Sequence, residues 1–370
     1  MNSEVAAPEK TAPEEEAPIR TKPRNKIASW LTTPAAAIAL VDLAVVIFFG
    51  IATPDHAFFT AGNFTNVALS GAEGLILGVA AAFLLGAGEF DLSLGANVIL
   101  SSILGALVMR QLDGGGTNLT NASGVVLGLG LLCCIVSGTV LGFVNAFVVT
   151  RLNVNALIGT LGTMGIFTGA AFVLVDGTDI IVPSNLQSGF GVKTVLSIVP
   201  LAAIVAAVIV VIGYIMLTQT RFGLLTLAAG SARDAAVRSG IPVKFHVLRL
   251  FVMAGFLCGI VAVLDISRYA TTDLSGHTLD SLSAIAGSVI GGTSLFGGRV
   301  SIVGMVFGCL LPILLGIGLV QMNLPAFYQE IAVGVVLIIA VAVRSPQSSD
   351  ARGRSRLRQL GTRILGTGRS

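Results

Sequence analysis

The sequence predicts an all-α, polytopic integral membrane protein, and three observations support that prediction. Hydrophobic residues make up 54% of the 370 residues and charged residues only 11%, whereas a soluble domain carries roughly 25% charge. The mean hydropathy is +0.91. The apolar residues form continuous runs, not the alternating ten-residue segments of an outer-membrane barrel. These patterns exclude a water-soluble enzyme and a membrane barrel.

Apolar runs bounded by polar or charged clusters predict about ten membrane-spanning helices, because one span needs about 20 apolar residues. Only Gly-rich breaks separate the second span from the third and the eighth from the ninth. The expected spans are 34–52, 67–88, 92–109, 123–149, 156–175, 195–217, 247–264, 282–296, 300–321 and 326–343.

The polar ends of the chain are predicted to be cytoplasmic tails on either side of a transmembrane domain at 34–344. Residues 1–33 are rich in proline and in acidic and basic residues, which is typical of a disordered segment. The first apolar run starts too far from the N-terminus for a signal peptide, so it is predicted to be a retained span. Residues 345–370 form a basic tail.

The positions of the basic residues predict the orientation of the spans. With ten spans and the N-terminus inside, 19 of the 22 Lys and Arg residues fall on the inner side. Only Arg110, Lys193 and Arg268 fall outside. Because Lys and Arg collect in cytoplasmic loops, both termini are expected to be cytoplasmic in a multi-pass protein of the bacterial cytoplasmic membrane.

Glycines inside the apolar runs predict closely packed helices and broken helices. A short apolar run, a Gly-rich break and a longer helix follow one another at 75–109 and again at 282–321, which predicts two loosely repeated halves in parallel orientation. Broken helices at matching places are typical of substrate paths. Helix packing is the competing explanation for pairs at GxxxG spacing. These pairs are Gly124 and Gly128, Gly138 and Gly142, Gly255 and Gly259, and Gly304 and Gly308.

Polar side chains in or beside the spans are the candidate lining of a substrate path. A charged group costs at least ~2.5 kcal/mol at the centre of a bilayer, so those that occur there are usually functional. Hydroxyl, amide and carboxylate groups can hydrogen-bond a polyol, although a uniformly apolar pore is a possible alternative. The candidates are Glu73, Asp91, Ser93, Asn97, Asn145, Asn155, Thr160, Thr163 and Thr293.

The longest inner loop, residues 218–246, is amphipathic. From Leu224 to Val243 small and charged residues alternate at helical spacing before a Gly-Ile-Pro stop. This predicts a short helix along the cytoplasmic face, either an ordinary connection or a docking helix on which small residues allow close approach and charged residues set the orientation. The candidate docking residues are Arg233, Asp234, Ala235, Ala236, Arg238, Ser239 and Gly240.

The sequence gives no indication of a metal, a cofactor, a catalytic residue or a nucleic-acid partner in this chain. Its four cysteines lie in apolar runs without metal-ligand spacing, and its three histidines are far apart. The net charge of +3 is too weak to indicate nucleic acid.

Four segments resemble, in the same order, segments of the permease subunits of ABC importers for simple sugars, the family of ribose, xylose, arabinose and galactose permeases. They are GEFDLSLG (88–95), NVNALIGTLGTMGIFTGAAFVL (153–174), TRFGLLTLAAGSARDAAVRSGI (220–241) and IGGTSLFGGRVSIVGMVFG (290–308). The segment 220–241 resembles the cytoplasmic coupling loop of that family. The resemblance covers about residues 60–345. The chain departs from the family pattern at Glu89, Asn155, Val300 and Ala229-Gly230-Ser231, so the identity of a sugar is not transferred.

The resemblance implies a permease that translocates a monosaccharide or related polyol. The implied partners are an ABC ATPase that holds ATP and Mg, a solute-binding protein, a second permease subunit in a homodimer or heterodimer, and the lipid bilayer. The coupling loop would face the ATPase. Outer loops near 53–66, 176–194 and 265–281 would receive the binding protein. The sequence has no phosphate-binding G-x-x-x-x-G-K-[ST] motif, which agrees with ATP hydrolysis on another chain.

The sequence leaves three alternatives to a sugar permease open. A proton-coupled secondary transporter would use Asp42, Glu73 and Asp91 as coupling groups, but it has no reason to keep the amphipathic inner loop. Neighbouring permease families carry branched-chain amino acids or nucleosides. A membrane-embedded enzyme would need a nucleophile or a metal cluster near the interface, and the sequence indicates neither.

Overall fold

The computed structural model of the protein describes residues 33–113, 121–195 and 199–325, and the single positions 328, 331, 334, 335 and 338. Almost all regular structure in these residues is helical. The α-helices longer than one turn are α1 (Pro34–Ala52), α2 (Ala61–Gly86), α3 (Leu94–Leu112), α4 (Gly124–Thr150), α5 (Ala156–Leu174), α6 (Leu201–Gln219), α7 (Arg221–Ser231), α8 (Arg233–Arg238), α9 (Val243–Tyr269), α10 (Asp280–Ile290) and α11 (Ile302–Gln321).

Short elements fill the connections that were predicted to lie outside. A 3-10 helix spans Pro54–Phe59, and a helical turn at Ser184–Leu186 leads into a π-helical turn at Gln187–Gly191. Strands β1 (Thr194–Val195) and β2 (Val199–Pro200) pair in antiparallel orientation, with Thr194 opposite Pro200 and Val195 opposite Val199.

Eight helices of the described residues are long and apolar enough to cross a membrane, namely α1 to α6, α9 and α11. They match the first seven predicted spans and the ninth, which confirms the polytopic all-α class. The eighth predicted span differs, because α10 has only 11 residues and is about 16 Å long at 1.5 Å per residue. It ends where the chain turns at Gly291 and Gly292, so the rest of 282–296 is a loop.

The tenth predicted span, 326–343, lies largely outside the described residues, although the described positions within it are helical. The two predicted tails, 1–33 and 345–370, lie outside the described residues except for Thr33, which caps α1. The predicted repeat has a counterpart in the fold. Helix, break and helix follow one another in α2, residues 87–93 and α3, and again in α10, residues 291–301 and α11.

Helix α9 lies at the centre of the bundle and packs against α2, α3 and α4. Most residues of α2, α3 and α9 are buried, whereas most residues of α4, α5 and α6 are partly or fully exposed. Their exposed side chains are largely Val, Leu, Ile and Phe. An apolar outer surface around a buried centre is expected of helices that face lipid.

Glycine pairs bring α4 and α9 together at backbone distance. A Cβ atom added at Gly138 would lie 2.7 Å from the Gly255 carbonyl oxygen, and one at Gly142 would lie 2.7 Å from Gly255 Cα. At Gly259 it would lie 2.7 Å from the Cys134 carbonyl oxygen. These pairs therefore pack as predicted, since only glycine lets two helices approach so closely.

The other two GxxxG pairs differ from each other. Gly304 and Gly308 of α11 contact the backbone of Gly291 and Gly287, at and near the end of α10. A Cβ added at Gly124 or Gly128, by contrast, would meet nothing within 4 Å, so the packing prediction does not hold for that pair within the described chain.

We expect Gly255→Ala to destabilise the protein by about 2 kcal/mol, the usual cost of overpacking. Its methyl group would lie 2.3 Å from the Gly138 carbonyl oxygen, and backbone cannot move aside as a side chain can. Thermal unfolding of the purified protein in detergent measures the change. The control is Gly169→Ala in α5, where added Cβ meets nothing within 4 Å. Equal midpoints for the two variants would contradict the close α4–α9 contact.

Candidate translocation pathway and coupling surface

The first break, between α2 and α3, is fixed by a buried polar network. Asp91 is 3% exposed, and its Oδ1 accepts hydrogen bonds from Ser93 N at 2.8 Å and Ser93 Oγ at 2.7 Å. Asn145 of α4 donates through Nδ2 to Ser93 Oγ at 2.6 Å and to Asp91 Oδ2 at 3.4 Å. Three predicted pathway residues are therefore brought together at the start of α3.

Two further candidates tie the same region to its neighbours. Asn97 Nδ2 donates to the Gly138 carbonyl oxygen at 3.2 Å, and Ser101 Oγ donates to Asn97 Oδ1 at 3.0 Å. Thr160 of α5 accepts a hydrogen bond from Leu92 N at 3.2 Å. These bonds hold the first break and α3 against α4 and α5.

The remaining candidates outside the cavity described below bind nearby backbone. Thr163 Oγ1 donates to a carbonyl in the preceding turn of α5. Asn155 caps the start of α5 by accepting from Leu157 N at 2.9 Å. Thr293 Oγ1 accepts from Ser301 N at 3.4 Å across the second break. Contact of these side chains with substrate stays a prediction.

A cavity of about 720 Å³ opens between α2, the end of α9, the loop after α9, α10 and α11. Of the nine predicted pathway residues, Glu73 alone is among its described lining residues. The apolar lining residues include Leu77, Pro312 and Ile313. The polar lining residues besides Glu73 are Ser70, Asp265, Tyr269, Asp273, His277, Asp280 and Ser283.

Glu73 is paired with a cation at the edge of this cavity. Arg268 Nη1 lies 3.4 Å from Glu73 Oε1, and each side chain is 12% exposed. The same guanidinium donates to Ser70 Oγ at 3.1 Å and lies 4.8 Å from the centre of the Tyr269 ring. The pair therefore neutralises the charge of the one glutamate in the described lining.

His277 lies between two carboxylates. Its Nε2 is 3.2 Å from Asp265 Oδ1, and its Nδ1 is 2.7 Å from Asp280 Oδ2. Burial alone would lower the pKa of His277, but hydrogen bonds to Asp265 and Asp280 outweigh burial and hold that pKa well above its ordinary value. Carboxylate oxygens within hydrogen-bond distance of both ring nitrogens therefore favour the imidazolium form, in which both nitrogens donate.

Sequence reasoning missed this cluster because it ended the seventh span at residue 264 and placed Asp265 and His277 in an outer loop. Helix α9 in fact continues to Tyr269, and Asp265 is 2% exposed. One signal was available in the sequence, since the apolar Ile266 directly follows Asp265. In the structure Ile266 is fully buried. The charged residue interrupted the apolar run without ending the helix.

We expect the His277 cluster to make stability depend on pH. The folded-state pKa is raised above the unfolded value of about 6.5, so the stabilisation is fully present below that pH and is lost as the pH rises through the folded pKa. The thermal unfolding midpoint in detergent should decrease as the pH rises into the alkaline range, and His277→Gln should remove that part of the decrease. Parallel pH profiles for wild type and variant would contradict an ionised His277.

The two breaks meet the inner loop at a junction of glycines, which we define as Gly86, Gly230, Gly297 and Gly298. Gly298 N donates to the Gly86 carbonyl oxygen at 2.9 Å. A Cβ added at Gly230 of α7 would lie 2.1 Å from that same oxygen and 2.6 Å from Gly298 N. The end of α7 therefore rests directly on the backbone where α2 leads into the first break and on the backbone of the second break.

The predicted docking residues form the exposed surface of α8 and the turn after it, with one exception. Arg233, Asp234, Ala235, Arg238, Ser239 and Gly240 are exposed. Ala236 was expected to allow close approach of a partner, but it is 5% exposed and belongs to the apolar core, because it lies on the inward face of α8. Val237, which the sequence prediction omitted, is 56% exposed on that helix.

Two side-chain contacts connect this surface to the bundle. Arg233 of α8 pairs with Glu89 in the first break, which gives a role in the fold to an acid that departs from the family pattern. Thr226 of α7 lies 2.8 Å from His246 Nε2 in α9. Movement of α7 and α8 would therefore act on the first break and on the central helix.

One protein family and several known proteins match this chain along most of its length. A sequence model of the family described as "Branched-chain amino acid transport system / permease component" matches residues 63–341. The D-allose transport system permease protein of Escherichia coli (strain K12) is 31% identical over 300 residues, 81% of this chain and 88% of that protein.

Two further relatives have similar coverage. The L-arabinose ABC transporter permease protein of Azospirillum brasilense is 29% identical over 342 residues, 92% of this chain and 95% of its own. The ribose import permease protein of Escherichia coli (strain K12) is 28% identical over 319 residues, 85% of this chain and 94% of its own. No solved structure matches the chain significantly.

Proposed function

Because the chain belongs to the ABC-importer permease family that includes the simple-sugar permeases, we propose that it translocates a monosaccharide or related polyol across the bacterial cytoplasmic membrane. The class of the chain, a multi-pass transport permease of the inner membrane, follows from its family and its apolar helices. The proposal adds the substrate class, the energy source and the orientation. The relatives' names support importer function over the proton-coupled alternative.

The observation that carries the substrate proposal is the composition of the 720 Å³ cavity. Its volume lies within the range of roughly 300–1,000 Å³ that is usual for small-molecule sites. Hydroxyl and carboxylate groups and apolar side chains both line it. A sugar ring offers hydroxyl groups at its edge and C–H groups on its faces, so it can contact both kinds of lining group.

An ATPase subunit is the partner proposed for the exposed surface of α7 and α8. The surface carries charges of both signs at Arg233, Asp234 and Arg238, and the apolar Val237 lies among them. ATP and Mg would be held by that partner, as the missing phosphate-binding motif implies. Both termini would then lie on the same cytoplasmic side.

On the opposite side we propose a solute-binding protein that docks on the loops near 53–66, 176–194 and 265–281. The last of these loops contains His277 and Asp273, which line the cavity, so substrate released there would enter beside the charged cluster. The second permease subunit is most simply another copy of this chain, with the lipid-facing helices around the pair.

Uptake by a reconstituted complex tests the proposal. The permease is co-expressed with the ATPase and binding protein recovered by mild-detergent pull-down, and proteoliposomes are supplied with ATP and radiolabelled D-allose, D-galactose, L-arabinose or D-ribose. We expect uptake that requires ATP and survives collapse of the proton gradient. Uptake driven by a proton gradient without ATP would contradict the proposal in favour of a secondary transporter.

A further inference from the structure

The buried carboxylate of Asp265 has one oxygen without a hydrogen-bond donor. Asp265 lies near the end of α9, is 2% exposed and lines the cavity. Its Oδ1 is engaged by His277 Nε2 at 3.2 Å. Its Oδ2 has no hydrogen-bond partner in the part of the chain that the structure describes. A buried oxygen left in this state costs free energy, so a donor from outside the described residues is expected.

The neighbouring side chains hold Asp265 in position but do not supply that donor. Both nitrogens of His277 are occupied by carboxylate oxygens, at Asp265 and at Asp280. Arg268 is turned towards Glu73 and Ser70. Both cations that the described residues place beside the cavity are therefore committed to other acceptors.

The charges at the cavity favour a neutral donor. Arg268 compensates Glu73, and the buried His277 compensates the buried Asp265. The other two carboxylates of the lining, Asp273 and Asp280, are partly exposed to solvent, so the buried part of the lining carries no net charge. Leu77, Pro312 and Ile313 are apolar residues of the same lining. A polyol hydroxyl satisfies the acceptor without bringing a further charge into this environment, and the ring of the polyol can pack on apolar lining residues.

We infer that Asp265 Oδ2 accepts a hydrogen bond from a substrate hydroxyl group, so that this permease contacts a neutral polyol directly during translocation. His277 is a positioning residue that fixes the orientation of the carboxylate. The oxygen is covered in this conformation, so the hydroxyl reaches it when the helices around the cavity separate, as alternating access requires. The inference rests on the proposed function.

Asp265→Asn tests the inference because it keeps the shape of the side chain. The amide oxygen can still accept from His277, which leaves the NH₂ group, a donor, where the substrate needs an acceptor. In proteoliposomes of the full complex we expect ATP-driven uptake of D-allose, D-galactose, L-arabinose or D-ribose to fall about tenfold or more, the usual effect of losing a hydrogen bond to a charged group. ATPase activity should change less than about twofold.

The matched control is Asp113→Asn, which makes the same chemical change at an exposed residue at the end of α3, outside the cavity lining and the proposed docking loops. It should leave uptake at the wild-type level. His277→Gln should fold and give an intermediate loss of uptake, since it frees Asp265 to rotate without removing the acceptor. This second variant keeps the inference testable if Asp265→Asn fails to assemble.

The outcomes separate the inference from the proposed function. If the wild-type complex transports sugar and Asp265→Asn transports it equally well, the inference alone is overturned. If only His277→Gln assembles, unchanged uptake by that variant has the same meaning. Preferential wild-type uptake of cationic glucosamine, lost in Asp265→Asn, would overturn the assignment to a neutral hydroxyl. If the wild-type complex takes up none of the four sugars with ATP, the proposed function fails and the inference fails with it.

Discussion

Replacing Val237 with arginine is expected to weaken binding of the ATPase roughly thirtyfold and to stop ATP-driven uptake at ordinary subunit concentrations. Val237 is 56% exposed on α8, so the longer side chain leaves the permease core unchanged. At the proposed interface it would place a charge among Arg233, Asp234 and Arg238. A change at a hot-spot residue near the centre of an interface costs about 2 kcal/mol or more, which corresponds to that loss of affinity.

Pull-down of the ATPase by the tagged variant, followed by uptake in proteoliposomes, measures the effect. Gln219→Arg is the matched control, because Gln219 is also exposed at the end of α6 but lies outside α8. The control should retain both binding and uptake. Ala236→Arg is not a clean test, since Ala236 is buried and the change would disturb the core. Wild-type ATPase recovery with Val237→Arg would contradict docking on this surface.

The fold class was predictable because membrane helices are specified by length and hydropathy, which composition alone records. Eight of the predicted spans correspond to long apolar helices. The eighth prediction overestimated α10 because Gly291 and Gly292 are themselves compatible with an apolar run. At this turn the backbone of Gly304 in α11 lies in close contact with Gly291. Local sequence does not reveal such a contact between separate elements.

The candidate site was harder to predict for the same reason. Asp91, Ser93 and Asn145 were expected near substrate because they are polar, and the structure shows that they bind one another. The cluster of Asp265 and His277 depends on a loop that folds back onto the end of α9. Polarity identifies residues that need partners, but only the fold determines whether those partners are protein groups or ligands.

The arrangement of the two breaks suggests how partner movement reaches the cavity. Both breaks meet α7 at the glycine junction, and helices that follow or precede them, α2, α10 and α11, border the cavity. The Arg233–Glu89 pair adds a second connection from α8 to the first break. A displacement of α7 and α8 would therefore shift both breaks together, and the walls of the cavity would move with them.

Gly230→Ala is expected to abolish uptake almost completely, because this residue fills the centre of the junction. The new methyl group would lie 2.1 Å from the Gly86 carbonyl oxygen, 2.6 Å from Gly298 N and 2.9 Å from Gly297 Cα. All three are backbone atoms, so both breaks must separate from α7 and the Gly298–Gly86 hydrogen bond must stretch or break. Overpacking of this kind costs about 1–3 kcal/mol.

Uptake and thermal unfolding of the same Gly230→Ala preparation separate a coupling defect from simple instability. We expect the unfolding midpoint to fall by only a few degrees, roughly in proportion to that free energy, while uptake falls by far more. Gly165→Ala in α5 is the control, since an added Cβ there meets nothing within 4 Å. Because a Cβ added at Gly230 points into the junction and not to the exposed surface of α8, the variant should still bind the ATPase and hydrolyse ATP. Wild-type uptake by Gly230→Ala would show that the junction does not transmit movement to the cavity.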